Sequence, residues 1–201
     1  MLVRFCMTPH PVTITPQDTL ATAQEAMQAG RFRRLPVIQD GTVVGIVTDR
    51  DLRRHVGMER RTRVGAVMTE RPLTISPLTT VEEAVRMMLT RQIGGLPVVN
   101  NGQLVGVITT SDVLRVFLAA MGAAVDGSVR IDIEERERGV DVETIARLIV
   151  ALGGEVLSVG TSYRDPSVEQ TVRYVRLRGV RPETAVTALR HRGYTVVGVY
   201  T

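Results

Sequence analysis

The segment MTPHPVTITPQDTL at Met7–Leu20 returns as MTERPLTISPLTTV at Met68–Val81, and LPVIQDGTVVGIVTDRDL at Leu35–Leu52 returns as LPVVNNGQLVGVITTSDV at Leu96–Val113. Every matched pair is 61 positions apart without a gap, and over Met7–Asp51 17 of 45 residues are identical to their partners. Chance does not hold register over that length, so the chain carries a tandem duplication. A unit of this size cannot cover both faces of its own sheet. The two repeats are therefore expected to pack together about a pseudo-twofold axis.

Each repeat reads β-α-β-β-α. In the first, Val12–Ile14 is a short strand ended by Pro16. Leu20, Ala23, Ala26 and Met27 then fall on one helix face, with Gly30 placed to close the helix. Leu35–Ile38 and Thr42–Val47 are strands joined by the hairpin dipeptide Asp40-Gly41, and a second helix starts at Thr48. The second repeat follows suit, with a helix over Thr80–Thr90 and Asn101-Gly102 as its turn.

After a helix through Val113–Met121 and a small-residue stretch at Gly122–Gly127, the pattern changes. Val129, Ile131 and Ile133 alternate with Arg130, Asp132 and Glu134, a strand with one wet face. Asp141 caps a helix with the stripe Ile145, Leu148, Ile149 and Leu152. Strands at Glu155–Tyr163 and Gln170–Arg178 flank a turn at Asp165-Pro166. Pro182 opens a helix that ends at Gly193, and Tyr194–Tyr200 is the last strand. The order βαββαβ is the ferredoxin-like plan. The expected chain is α/β (α+β), divided into repeats at 1–61 and 62–121, a linker at 122–128 and a third domain at 129–201.

All 25 basic residues are arginine, and nine of them lie between Arg31 and Arg63 against Asp40, Asp49, Asp51 and Glu59. Guanidinium forks suit phosphate oxygens. With aromatics at only 3% and no helix-turn-helix pattern, the chain does not read as a nucleic-acid binder. The longest uncharged apolar run, Val116–Val125, is far short of the roughly 20 residues of a membrane span. No signal-peptide stretch begins the sequence, and a lone Cys6 forms no internal disulfide; a cytoplasmic protein is expected. His10, His55 and His191 have no metal-ligand spacing, and no nucleophile or phosphate-loop motif occurs. The reading is a binding protein without a metal, not an enzyme.

The repeated tails Gly45-Ile-Val-Thr48-Asp-Arg-Asp51 and Gly106-Val-Ile-Thr109-Thr-Ser-Asp112 each end a strand and begin a helix. Thr-x-x-Asp is a helix-capping signature. It also sets a hydroxyl, a carboxylate and free backbone N–H groups at one polar corner, suited to a ribose diol and phosphate oxygens. Capping and ligand contact do not exclude one another.

These repeats resemble a tandem CBS-domain pair, or Bateman module. The match is carried by Met7-Thr8 and Met68-Thr69, by Leu35-Pro36-Val37 and Leu96-Pro97-Val98, and by the two Gly-x-x-Thr-x-x-Asp tails. The resemblance implies two clefts for an adenosyl ligand such as AMP, ADP, ATP or S-adenosylmethionine. It puts the ribose carboxylate on Asp51 in one cleft and Asp112 in the other, ribose and phosphate hydroxyls on Thr48 and Thr109, and apolar base contacts on Ile46 and Val107. It sets Asp51 opposite Met68, Thr69 and Ile93, and Asp112 opposite Met7, Thr8, Pro9 and Phe32. Arg33 and Arg34 stand where the family's basic residues commonly meet phosphate, in reach of either cleft. The second repeat has Gly94 and Gly95 there, so the clefts are expected to differ in phosphate affinity.

The last segment resembles an ACT-like domain in its element order and its Arg138-Gly139 turn, although Arg138 stands where that family usually has proline. A CBS pair followed by such a domain resembles the acetoin-utilisation protein B group of regulatory proteins. The resemblance implies a sensor, a homodimer and a regulated protein partner that the sequence does not name. Two other readings are a nucleic-acid-associated regulator using Arg31–Arg63 and a structural oligomerisation protein with empty clefts.

Overall fold

A computed structural model describes residues 1–135, 141–161 and 171–201. The expected turns at Arg138-Gly139 and Asp165-Pro166 lie outside these. The chain forms two compact units, Met1–Leu114 and Arg115–Thr201.

The first unit opens with a 3₁₀ turn at Val3–Phe5. There follow β1 (Thr8–Pro9), α1 (Leu20–Gly30), β2 (Arg34–Gln39), β3 (Thr42–Thr48) and α2 (Asp49–Arg53). The plan repeats with a 3₁₀ turn at Val64–Ala66, β4 (Thr69–Glu70), α3 (Val81–Arg91), β5 (Gly95–Asn100), β6 (Gln103–Thr109) and α4 (Thr110–Ala120). The end of α4 belongs to the second unit. Both hairpin turns hold two consecutive positive φ angles, 49° and 78° at Asp40-Gly41 and 50° and 81° at Asn101-Gly102. That is the primed geometry whose twist matches the flanking strands.

Two expectations shift. The strand at Val12–Ile14 reduces to one parallel bridge, Ile14 to Val37, mirrored by Ile75 to Val98. Pro11 and Pro16 on either side supply no N–H for a ladder, and Asp18 takes the Thr15 N–H at 2.8 Å. Gly30 lies inside α1, and the left-handed residue that ends the helix is Arg31 at φ 52°, as Gln92 is for α3. Gly30 answers a steric demand instead, because a Cβ there would run into the Phe32 ring.

Pairing across the repeats makes the first unit one body. β2 pairs with β3 and β5 with β6, while each short lead-in strand crosses over: β1 pairs with β6 and β4 with β3. The antiparallel pair Thr42–Gln103 joins two residues 61 apart, that is, repeat mates, and so marks the pseudo-twofold axis. The cores are exchanged likewise. Val3 is fully buried among Ile75, Leu96, Val98 and Ile108 of the second repeat. Its mate Val64 is buried among Leu20, Leu35, Val37 and Val47 of the first. Each buried valine contributes about 1.5 kcal/mol or more to a core that is not its own repeat's.

The second unit has β7 (Val129–Glu135), α5 (Val142–Ala151), β8 (Glu155–Thr161), β9 (Thr171–Arg178), α6 (Pro182–His191) and β10 (Val196–Tyr200). Its sheet runs β10-β7-β9-β8, antiparallel throughout, the ferredoxin-like order. Asp141 caps α5 by accepting from the Glu143 and Thr144 N–H groups at 3.0 and 3.2 Å. Ile131, Ile133, Val175 and Leu177 from the sheet pack on Ile145, Ile149, Ala185 and Leu189 from the helices. On the other strand parity, Arg130 makes a two-pronged ion pair with Asp132 at 2.7 and 3.0 Å beside the Tyr174 ring.

Candidate functional site

In both repeats a strand delivers its last residue, a threonine, in extended conformation to the start of a helix. At the β3–α2 junction, Asp51 Oδ2 accepts hydrogen bonds from Thr48 N at 2.9 Å and Thr48 Oγ1 at 2.6 Å. At the β6–α4 junction, Asp112 Oδ2 accepts from Thr109 N at 2.8 Å and Thr109 Oγ1 at 2.7 Å, and Asp112 N donates back to Thr109 Oγ1 at 3.4 Å. The spacing Thr-x-x-Asp sets the carboxylate one turn above the threonine N–H, which produces a capping box. The two copies differ in depth: Asp112 is 3% exposed, whereas Asp51 is half-buried. The His55 ring places Nδ1 2.9 Å from the Asp51 carbonyl oxygen, closing the short α2 on its C-terminal side.

The crossed lead-in strands bring the other repeat to each box. Ile46, two residues before Thr48, is paired with Thr69, and Gly45 with Glu70. In the mirror half, Val107 is paired with Thr8 and Gly106 with Pro9. A Cβ on Gly106 would lie 2.6 Å from Met7 Sδ, and one on Gly45 would collide with the Met68 thioether. Each glycine is therefore a seat for the methionine of the opposite repeat. One half thus assembles Thr48, Asp51, Ile46, Met68 and Thr69, and the other Thr109, Asp112, Val107, Met7, Thr8 and Pro9. Phe32 and Ile93 pack against the apolar cores of their own repeats.

Arg33 is exposed, and its carbonyl accepts the Asp49 N–H at 2.9 Å. Arg34 is half-buried beside Thr48, its partner in the β2–β3 ladder. Desolvation by burial holds its guanidinium below the ordinary arginine range, the Asp49 charge acts upward, and Arg33 acts downward. Burial first, and the Asp112 charge second, push the Cys6 thiol up; Cys6 Sγ lies 3.4 Å from the Val3 carbonyl oxygen. Of the Arg31–Arg63 arginines, Arg53 pairs with Asp49 at 3.3 Å and Arg63 donates to the Gln17 carbonyl at 2.6 Å. The set runs from Arg31 at the C-cap of α1 through β2 and α2 to the turn after it, not along one element. Among the described residues no three His, Cys, Asp or Glu side chains converge on a metal position, and no helix is long and apolar enough to cross a membrane.

The sequence shows both Thr-x-x-Asp boxes, and the resemblance supplies Met7, Thr8, Pro9, Met68 and Thr69 beside them, but neither gives Gly45 or Gly106 a role beyond membership of the motif. Gly45 and Gly106 carried a usable signal, since each precedes its threonine by three residues in both copies and each copy has a Met-Thr lead-in. Gly94 and Gly95 stand in the sequence as the glycine mates of Arg33 and Arg34, but the sequence does not show that the Arg34 head fills the space of their side chains.

A hydroxyl and a carboxylate held at a helix start, with an apolar strand residue paired to a second repeat's threonine, form a corner with a polar and an apolar wall. The CBS domain family model matches residues 3–57 and again 64–119, together more than half of the chain. The chain belongs to the CBS-domain family and carries its domains as a tandem pair. A CBS domain-containing protein of Dictyostelium discoideum is 33% identical over 136 residues, which are 60% of this chain and 94% of that protein. A structure from Vibrio cholerae described as an acetoin utilization protein superposes with a TM-score of 0.55 at 31% identity, over 59% of this chain and 90% of that one. The structure of CBSX2 in complex with AMP, a CBS-pair protein from Arabidopsis thaliana, gives 0.53 at 32% identity, over 58% of this chain and 96% of that one.

Proposed function

We propose that the first unit is a sensor that binds an adenosyl ligand, AMP, ADP or ATP or the related S-adenosylmethionine, in two clefts built on Thr48/Asp51 and Thr109/Asp112. The observation that carries this reading is the duplicated box with a strand of the other repeat laid against it. A ligand seated between Asp51 and Thr69, or between Asp112 and Thr8, touches both repeats at once, and its binding free energy biases how they pack. The AMP complex of a similar CBS-pair protein supports the ligand class. In each cleft the carboxylate takes the ribose hydroxyls, the threonine and helix-start N–H groups take phosphate oxygens, and Ile46 or Val107 lies along the base. The reaction required is binding, not bond making. The second unit, with the ACT-like order of elements, relays the bound state to a partner protein, and the working species is a cytoplasmic homodimer.

The test is the melting temperature of the full chain with AMP, ADP, ATP, S-adenosylmethionine and NADH, repeated in Asp51→Ala and Asp112→Ala. Stabilisation that grows with ligand concentration and disappears in one or both variants is the expected result. No shift with any of the five leaves both boxes as helix caps and overturns the reading.

A further inference from the structure

The helix that begins at the Thr109/Asp112 box does not end in the unit that holds the box. α4 starts in the first unit, and from Arg115 onward it belongs to the second. Its last turn closes in a Schellman motif: Ala123 N–H donates to the Leu118 carbonyl and Gly122 N–H to the Ala119 carbonyl, both at 2.9 Å, with Gly122 left-handed at φ 65°. The Met121 carbonyl at this end accepts a hydrogen bond from Ser158 Oγ of β8 at 2.6 Å. Gly122 is buried, and a Cβ on it would lie 2.7 Å from Leu157 Cβ and 3.4 Å from Arg176 Cδ. The chain then enters β7 through Ser128, whose hydroxyl accepts from Arg176 Nη1 at 3.0 Å. The C-terminus of α4 is thus docked on β8 and β9, about 16 Å from the box along one helix of 11 residues. Between the two ends Leu114, Phe117 and Leu118 are exposed, so the termini carry much of what positions the helix. The first box has no such extension. α2 is five residues long, and the chain after it folds back on its own repeat, where the Thr62 and Glu59 carbonyls accept from the Leu20 and Ala21 N–H groups at 3.0 and 3.1 Å. Arg60 and Arg61, the repeat mates of Met121 and Gly122, are exposed.

We propose that α4 couples the Thr109/Asp112 box, and not the Thr48/Asp51 box, to the sheet of the second unit. The capping box holds one end of the helix and the Met121–Gly122 dock holds the other, so a displacement at either end moves the helix as a rigid element instead of dissipating in a loop. Asp112 is 3% exposed; a ligand that engages its carboxylate displaces the first turn of α4, and the second unit responds to that cleft. Binding at Asp51 stays within the first unit. The signalling role rests on the reading of the boxes as ligand sites, whereas the coupling itself does not.

The experiment is native-state hydrogen exchange by nuclear magnetic resonance on the full chain, for the natural sequence, Ser158→Ala and Gly122→Ala. Two amides at repeat-equivalent positions read it: Thr109 N–H, held by Asp112 at 2.8 Å, and Thr48 N–H, held by Asp51 at 2.9 Å. Neither variant touches a box, and Ser158→Ala, which removes only a hydroxyl, keeps the test intact should Gly122→Ala fail to fold. Coupling between two sites is reciprocal, so loosening the dock is expected to speed exchange at Thr109 about 5- to 30-fold, the lower part of the range for coupled sites, and to leave Thr48 unchanged. Thr109 exchange that matches the natural sequence, or Thr48 exchange that accelerates as much as Thr109, overturns the proposal. Titration with AMP then reads the signalling. Filling of the Thr109 cleft is expected to shift the Ser158 amide resonance in the natural sequence, and filling of the Thr48 cleft is not. AMP that fills the Thr109 cleft without moving Ser158 overturns the signalling role and leaves the cleft reading standing. Failure of AMP to bind either cleft, with Thr109 exchange accelerated in the dock variants, supports the coupling and counts against the cleft reading alone.

Discussion

Replacing Asp112 by alanine, beside the same change at Asp51, separates burial from local geometry. The two carboxylates sit at repeat-equivalent positions, and each accepts two hydrogen bonds from its threonine through one oxygen. The two differ in exposure: Asp112 is 3% exposed and Asp51 half-buried. Loss of the cap alone costs about 1 kcal/mol. At Asp51 solvent can replace the lost acceptor, and the expected cost stays near that figure. At Asp112 the Thr109 N–H and hydroxyl lose their acceptor where water has little access, which adds about 1–3 kcal/mol. The expected cost is therefore about 2–4 kcal/mol, or roughly 8 °C or more in Tm for a domain of about 100 residues. Circular dichroism at 222 nm follows the helices of both units. The four tyrosines, Tyr163, Tyr174, Tyr194 and Tyr200, all lie in the second unit, so tyrosine emission reports that unit separately. Equal losses for the two variants would show that depth does not set the cost and would refute the reasoning.

Gly106→Ala puts a Cβ 2.6 Å from Met7 Sδ and 3.0 Å from the Thr8 carbonyl oxygen. It is expected to cost about 1–3 kcal/mol and to speed hydrogen exchange at Val107 and Pro9's neighbour Thr8; unchanged exchange there would rule out the methionine seat. Cys6 has a folded pKa above the ordinary 9.0, so the folded state holds its proton to higher pH than the unfolded chain. The resulting stability is fully present below pH 9.0 and declines as pH rises from the unfolded toward the folded value. Alkylation by iodoacetamide is accordingly expected to be slower in the native protein than in urea at pH 8.5, and equal rates would contradict it.

Much of the site was legible because its signals are local. Thr48, Asp51, Thr109 and Asp112 announce themselves through a four-residue spacing whose hydrogen bonds close within one helical turn. Asp40-Gly41 and Asn101-Gly102 likewise declare their turn by the backbone angles that they alone tolerate cheaply. Gly30 shows where such reading slips. A glycine near a helix end suggests a left-handed cap, yet Arg31 takes that conformation and Gly30 is small because Phe32 folds back over it. The repeat offset sets Gly94 and Gly95 as the mates of Arg33 and Arg34, but that the Arg34 head lies in their side-chain space, 2.7 Å from either Cβ position, was not legible, because the contact joins residues about sixty apart.

The sequence by itself determined the duplication, the βαββα and βαββαβ element orders, the turns Asp40-Gly41 and Asn101-Gly102 and the two capping boxes. These rest on hydrogen bonds and apolar periodicity over a few residues. Only the tertiary structure decided that the lead-in segments change places, with Val3 in the second core and Val64 in the first, and that one arginine crosses the axis into the space of its missing mate. Such contacts join residues about sixty apart, and they form only once two whole repeats are folded against each other. Their free energy therefore lies in packing and like-charge avoidance between surfaces, a quantity that no local pattern encodes.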